Sequence, residues 1–188
     1  TNVVKITEGA SFFMNGGDIS NNTLDYSGSN GLNSAVGVEG IKGTSTMEMI
    51  GGTITGNTGE YGGILVGTYS TNYTMQNNFS NPAHYYSKGI LNLKGGTISN
   101  NTAAVLGGGI AVNGTGILTM DGGTISGNKA PFGGGIGVVD YLTSADGKRF
   151  GEARWRGFFP AAVTINDGLI TGNEATMTAV TSQITDPN

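Results

Sequence analysis

A nine-residue pattern recurs five times along this chain and constrains its fold more than any other feature. Its clearest copy, residues 93–101, holds a Gly-Gly pair followed by Thr-Ile-Ser and two Asn residues. The other copies are residues 14–22, 49–57, 120–128 and 165–173. Such recurrence is the signature of a solenoid, in which each unit buries its apolar face on its neighbours. The pattern therefore predicts a stack of similar units.

The third unit shows how one repeat is expected to fold. Two short strands, 91–93 and 97–99, flank the Gly-Gly corner, and a third strand, 110–112, follows the Asn corner and a run of Gly. Side chains alternate along a strand, so inward residues are apolar and their neighbours polar. Three short strands and three corners per repeat predict an all-β fold, a parallel β-helix. The alternation in residues 3–6 predicts a strand that leads into the first repeat.

Equivalent inward residues should lie above one another at the strand spacing of about 4.8 Å. The aligned repeats predict five apolar columns: Phe12, Met47, Leu91, Leu118, Val163; Met14, Met49, Leu93, Met120, Ile165; Ile19, Ile54, Ile98, Ile125, Ile170; Val36, Ile64, Ile110, Ile136; and Val38, Val66, Val112, Val138. An outward ladder is predicted for Thr53, Thr97 and Thr124. The corner residues Asn22, Asn57, Asn101, Asn128 and Asn173 are expected to adopt left-handed backbone and to stack amide on amide.

Composition narrows the function classes. Gly makes up 35 of 188 residues without a three-residue period, which excludes collagen and fits many corners. Charged residues are only 12%, so Asn, Thr, Ser and Gly must cover the surface, as in extracellular proteins. The net charge of -4 argues against a nucleic-acid partner. The chain has no Cys and no apolar run near the roughly 20 residues that span a bilayer, so disulfides, thiolate sites and membrane insertion are not expected.

The repeats resemble those of right-handed parallel β-helix proteins, among them chlamydial polymorphic outer-membrane proteins and adhesin-like surface proteins of bacteria and archaea. The sequence motifs typical of that family are GGA(I/L/V) and FxxN. Residues 95–98 correspond to the first motif, with Thr in place of Ala, and residues 98–101 correspond to the second motif, with Ile in place of Phe. The resemblance covers about residues 1–175. It implies a right-handed β-helix of about five coils, while the same fold carries adhesins, lyases and hydrolases.

Three inserts, 24–34, 67–89 and 140–162, lengthen the repeats. The last two lie between a third strand and the next first strand, where the intervening repeat has only the turn 113–116. Two long loops are therefore expected at the same corner, two coils or roughly 10 Å apart. This arrangement predicts a groove over the short turn.

Most aromatic residues of the chain lie in these two later inserts. An aromatic ring can pack against the apolar face of a sugar, and polar side chains near the ring can hydrogen-bond to the sugar hydroxyls. The candidate ligand-binding residues are Trp155, Arg154, Arg156, Tyr69, Tyr73, His84, Tyr85 and Tyr86. The alternative for each ring is packing that holds a long loop, which is the commoner role of any single ring.

An enzyme, either a polysaccharide lyase or a glycoside hydrolase, is the first alternative function, because the resemblance to pectate-lyase-type helices implies acidic calcium ligands beside a basic residue. Candidates for such a set are Asp140, Asp146, Glu152, Arg154 and Arg156, for which local salt bridges are the simpler interpretation. The carboxylates in the repeats, Asp18, Asp121 and Asp167, occupy different columns or distant coils. Asp121 and Asp167 come nearest, on adjacent coils, and are interpreted as corner residues that replace Asn and Gly. His84 has no visible triad partner. The Asn- and Asp-rich corners could hold Ca²⁺, although the sequence contains no calcium-binding motif. No catalytic residue, metal ligand or cofactor is therefore predicted.

The favoured function is a non-catalytic adhesin or carbohydrate-binding module of a secreted or cell-surface bacterial protein. Its partner would be a glycan or another host surface ligand, held between the two aromatic-rich loops. Residues 1–188 are interpreted as one β-helix domain, a piece of a longer chain with adjoining domains. The second alternative is a structural spacer without a ligand, against which the long inserts argue.

Overall fold

The computed structural model describes residues 2–24, 33–40, 43–67, 88–139 and 161–177. All regular structure in these ranges is β, and its strands pair in parallel within three sheets. The same ranges hold no helix that could cross a membrane. The all-β, parallel character predicted from the repeats is confirmed, and the arrangement is compatible with a solenoid.

The first sheet has five strands: one precedes the first repeat, and the other four follow the Asn corners of the first four repeats. They are β1 (Val4–Ile6), β4 (Val36–Val38), β8 (Ile64–Val66), β12 (Ile110–Asn113) and β15 (Ile136–Val139), adjacent in that order. Their β-branched residues favour extended backbone, and every second side chain faces the interior. The predicted strand near the start of the chain forms, and it is the first member of this sheet.

The second sheet joins the first two strands of each repeat. It contains β2 (Ser11–Met14), β3 (Asp18–Ser20), β5 (Ser45–Met49), β6 (Thr53–Thr55), β9 (Gly89–Leu93), β10 (Thr97–Ser99), β13 (Gly116–Ser126) and β16 (Ala162–Thr171). In β13 and β16 the strand continues through the corner that separates two strands elsewhere. The backbone still turns there, because Gly123 and Gly168 have φ of 84° and 113°.

The third sheet was not predicted. It consists of the two-residue strands β7 (Thr58–Gly59), β11 (Thr102–Ala103), β14 (Lys129–Ala130) and β17 (Glu174–Ala175), which follow the Asn corners. The prediction of three strands per repeat was therefore incomplete. Two-residue strands with one small inward residue carry no apolar alternation that a sequence pattern could show.

The five predicted apolar columns are confirmed by the strand register. Ile54 and Ile125 both pair with Ile98, and all three side chains are fully buried. The core continues through the other columns, with fully buried Met47, Met49, Ile64, Val66, Leu91, Leu93, Ile110, Val112, Leu118 and Met120. The outward Thr ladder is also in register. Stacking of equivalent side chains is therefore the main packing principle of the fold.

The predicted stack of Asn amides is confirmed. Nδ2 of Asn57 donates to Oδ1 of Asn101 (2.9 Å), and Nδ2 of Asn101 donates to Oδ1 of Asn128 (3.0 Å). The backbone N–H groups of Asn57 and Asn101 donate to the same two oxygens. Each interior amide also donates to the carbonyl of an Ile in the preceding repeat, as Asn101 does to Ile54 (2.9 Å).

The predicted left-handed backbone of these Asn residues is wrong. Positive φ occurs one position earlier, at Asn21 (57°), Gly56 (66°), Asn100 (53°), Gly127 (63°) and Gly172 (61°). The side chains of the stacked Asn residues can point inward because the preceding residue makes the turn. Gly or Asn at that preceding position meets the steric demand.

Candidate functional site

One edge of the molecule carries the connections from the first sheet to the second. Val112 pairs with Val66 on one side and with Val138 on the other. Leu118 pairs with Leu91 and Val163. Residues 67–88 and 140–161 therefore leave and re-enter the sheets at equivalent positions, on either side of the turn between β12 and β13.

Glycine packs the backbones tightly at this edge. A Cβ on Gly67 would lie 2.0 Å from the carbonyl oxygen of Asn113, and one on Gly116 would lie 2.3 Å from that of Val66. A Cβ on Gly89 would lie 2.1 Å from the carbonyl oxygen of Val38. No side chain fits at these positions, so both ends of the connection 67–88 lie directly against neighbouring backbone.

The turn between β12 and β13, over which the sequence predicts a groove, is partly buried: Asn113 and Gly116 are buried, and Gly114 and Thr115 are half-buried. Asn113 is 0% exposed, and among the described residues neither Nδ2 nor Oδ1 of its side chain has a hydrogen-bond partner. The hydroxyl of Thr115 is also buried without a partner. Gly114, between them, takes φ of 52° and donates its N–H to the carbonyl of Val139 (3.1 Å). An amide and a hydroxyl two residues apart in the chain are thus left without hydrogen-bond partners among the described residues.

The predicted ligand-binding residues lie outside the part of the chain that the structure describes. They are Trp155, Arg154, Arg156, Tyr69, Tyr73, His84, Tyr85 and Tyr86. The same holds for the acidic and basic candidates of the lyase alternative, 140–156, and for most of the insert 24–34. For these residues the sequence prediction stays a prediction. Asn113 and Thr115 were not singled out as ligand contacts, because nothing in their sequence distinguishes them from other turn residues.

The carboxylates in the repeats bond to their immediate neighbours. Asp18 accepts a hydrogen bond from the hydroxyl of Thr53, and Asp121 accepts one from Nδ2 of Asn166 (2.7 Å). Asp167 accepts one from the N–H of the next residue (2.7 Å) and lies opposite Asp121 across adjacent strands. Within the described ranges, no three His, Cys, Asp or Glu side chains are grouped as a metal site would require. The bonds of Asp121 and Asp167 fit their interpretation as corner residues, whereas Asp18 is the first residue of β3 and lies in the outward column beside Thr53.

A second apolar cluster covers the outer face of the five-stranded sheet. It joins Tyr61, Leu65, Leu106 and Ala111. Burial raises the pKa of the Tyr61 phenol, with a further contribution from the charge of Glu60. Burial also raises the pKa of Glu60, although a hydrogen bond from the backbone of Asn33 opposes this shift. The cluster makes this face part of the packed structure, so it is not a second open binding surface.

Comparison with known protein families, with curated proteins and with solved structures finds no match for this chain. Function must therefore be argued from the geometry of the described residues and from the sequence of the connecting segments.

Proposed function

We propose that the chain is a non-catalytic glycan-binding module of a secreted or cell-surface bacterial protein. We infer that its three sheets are the walls of one right-handed parallel β-helix with five coils, where a coil is one circuit through the sheets. The order of the sheets supports this, because strands of successive repeats are neighbours in each one. Right-handedness follows from the strong general preference of parallel β crossovers.

The ligand is proposed to bind at the connection edge, over the turn between β12 and β13. The observation that carries this is that two side chains of the turn, the Asn113 amide and the Thr115 hydroxyl, have buried polar atoms without a hydrogen-bond partner among the described residues. Leaving a buried polar group unsatisfied costs about 1–3 kcal/mol, so the folded state gains if a ligand supplies the missing partners. The amide offers donor and acceptor atoms and the hydroxyl offers both as well, so sugar hydroxyls could supply partners for each of them.

The aromatic composition of the two long segments supports a sugar over another small polar ligand. These segments carry Trp155 and several Tyr residues, and their ends flank the turn. We propose that Trp155 stacks on a pyranose face while Arg154 and Arg156 contact polar groups of the glycan. The local hydrogen bonds of Asp18, Asp121 and Asp167 support a non-catalytic role, since each carboxylate already has a partner.

Substitution of Asn113 by Leu tests the role of the buried amide. The two side chains are close in size, so the change removes the unsatisfied atoms while it fills the same space. We expect the free energy of unfolding to rise and glycan binding to weaken by about tenfold or more, the equivalent of about one lost hydrogen bond. A purely structural Asn113 would give the first effect without the second. Asn92→Leu, a half-buried strand residue away from the turn, is the matched control.

A glycan array with the wild-type chain, Asn113→Leu and Trp155→Ala provides the measurement. Unchanged glycan binding by Asn113→Leu would show that the turn is not part of the binding site. Unchanged glycan binding by Trp155→Ala would show that the Trp155 ring is not part of it. If the folded wild type binds no glycan, the spacer is favoured. Rising absorbance from unsaturated products on uronic-acid polymers would favour a lyase. Because the amide is buried, association is expected to be slower than the roughly 10⁵ M⁻¹s⁻¹ of preformed sites.

A further inference from the structure

The two ends of the stack differ in what they present, and they are complementary. We define the head face as β1, β2 and β3, and the tail face as β15, β16 and β17. Each of these strands pairs on one side only within the described residues. The tail face exposes apolar side chains that are inward in other repeats: Val138 (48%), Ile165 (52%) and Ile170 (42%). On the head face, Met14 is 4% exposed because its side chain leans toward Gly52 of the next repeat.

The Asn ladder is directional, and each end lacks the partner that the other end offers. Throughout the ladder, an Asn donates its N–H and Nδ2 to Oδ1 of the Asn in the following repeat. At the tail, the N–H of Asn173 has no acceptor among the described residues. At the head, Oδ1 of Asn22 has no donor among them.

Both terminal amides also make a bond that the interior ones do not. Nδ2 of Asn22 donates to the carbonyl of Ser20, and Nδ2 of Asn173 donates to that of Thr171, each at 3.1 Å and two residues back. The interior amides direct the same proton to a neighbouring repeat instead. The terminal bonds therefore occupy atoms that a further repeat would use.

We propose that copies of this chain associate head to tail, the tail face of one copy against the head face of the next. In the stack, Asn173 donates its N–H and Nδ2 to Oδ1 of Asn22 in the next copy, and Asn22 donates to the carbonyl of Ile170. The released carbonyl of Ser20 then accepts the N–H of Gly172, as the carbonyls of Thr55 and Ser99 accept N–H groups in the interior. Head-to-head and tail-to-tail contacts place acceptor against acceptor or donor against donor, so the ladder favours one direction. Such a contact does not close on itself and adds copies in a row.

Introduced cysteines test the direction of the contact. Asp18 and Leu169 occupy the same outward column, at the head and tail ends. Across the proposed contact their Cα atoms would lie about 4.8 Å apart, within the range that a disulfide spans. Because the chain has no cysteine, every crosslink comes from the introduced pair. Under mild oxidation, Asp18→Cys mixed with Leu169→Cys should give a heterodimer, and the double variant a ladder of multimers.

Sedimentation velocity up to about 1 mM, the weak end of specific affinities, provides a second measurement. Ile165→Lys should weaken association at least tenfold, because it places a charge in the contact. Ile50→Lys, a residue of similar exposure (48%) at a corner where the next repeat already has Lys94, should leave association unchanged. Disulfide-linked homodimers of the Leu169→Cys variant by itself would contradict the head-to-tail direction of the contact. The proposal would be overturned if the wild-type chain stays monomeric and the mixed Asp18→Cys and Leu169→Cys variants form no heterodimer, whether residues 178–188 or another protein covers the tail face.

Discussion

Replacing Asn101 by Ala tests whether the Asn ladder stabilises the stack or only accompanies it. Asn101 is fully buried, and its side chain takes part in four hydrogen bonds. Its Nδ2 donates to the carbonyl of Ile54 and to Oδ1 of Asn128, while its Oδ1 accepts from N–H and Nδ2 of Asn57. The Ala variant loses all four and leaves groups of Asn57 and Ile54 buried without these partners.

The expected cost follows from those four bonds. At a net value of about 1 kcal/mol each, their loss lowers the free energy of unfolding by about 4 kcal/mol, and the orphaned groups of Asn57 and Ile54 add to that. For a chain of this size, such a change corresponds to a fall in melting temperature of roughly 8–16 °C. It would be a large share of the roughly 5–15 kcal/mol that stabilises a typical domain.

Asn22 provides the internal control. It belongs to the same ladder but lies half-exposed at its end, and its side chain makes two bonds, to Ser20 and Asn57. Since water can replace these partners, Asn22→Ala should cost only about 1 kcal/mol. Denaturant titration gives both values, and hydrogen exchange of the Asn57 N–H reports the local loss directly. Equal destabilisation by the two variants, or a cost below about 1 kcal/mol for Asn101→Ala, would refute the reasoning.

Two further predictions concern a corner glycine and a half-buried carboxyl. Gly96→Ala should lower the free energy of unfolding by about 3 kcal/mol, because φ of Gly96 is 82° and the added Cβ would lie 2.6 Å from Cε of Met49. Gly16→Ala is the control and should leave the free energy of unfolding unchanged, since no atom lies within 4 Å of the added Cβ. Thermal or denaturant unfolding measures both variants. Burial raises the pKa of Glu60 above its unfolded value, so folding is penalised at pH above the folded pKa and the penalty is relieved as pH falls through it. Glu60→Gln should therefore be more stable than wild type at neutral pH, and the difference should shrink in acid; a constant difference across pH would contradict the assigned cause.

The sequence predicts the columns well because each inward position is apolar in every repeat and the corner motif fixes the alignment. Ile98 could be matched to Ile54 and Ile125 without any structural information. The same alignment held the information needed to place the left-handed residue. In Asn100-Asn101 either residue could adopt the left-handed backbone. The equivalent pairs Gly56-Asn57 and Gly127-Asn128 indicate that it is the first residue, because Gly stands there.

Other features depend on contacts that no local pattern encodes. The four-stranded sheet rests on two-residue strands, and the outer cluster brings Tyr61 and Leu106 from different repeats onto Leu65 and Ala111. The unsatisfied amide of Asn113 is recognisable only once burial and every neighbouring acceptor are known. The periodicity of the sequence therefore predicted the repeating strands and columns. The candidate site lies at a short turn between the two inserts that interrupt the repeat.

The two proposals use separate surfaces, and their combination has a geometric consequence. Stacking uses the ends of the solenoid, whereas the ligand edge lies on its side, so association leaves the connections between the first and second sheets accessible. Five coils at about 4.8 Å would repeat the ligand edge roughly every 24 Å along a row of copies. A surface that displays many glycans would then bind the row more tightly than one copy, because each further contact forms at high effective concentration. Ile165→Lys separates the two effects, since it should weaken binding to a dense glycan surface while it leaves the affinity for a single soluble glycan unchanged.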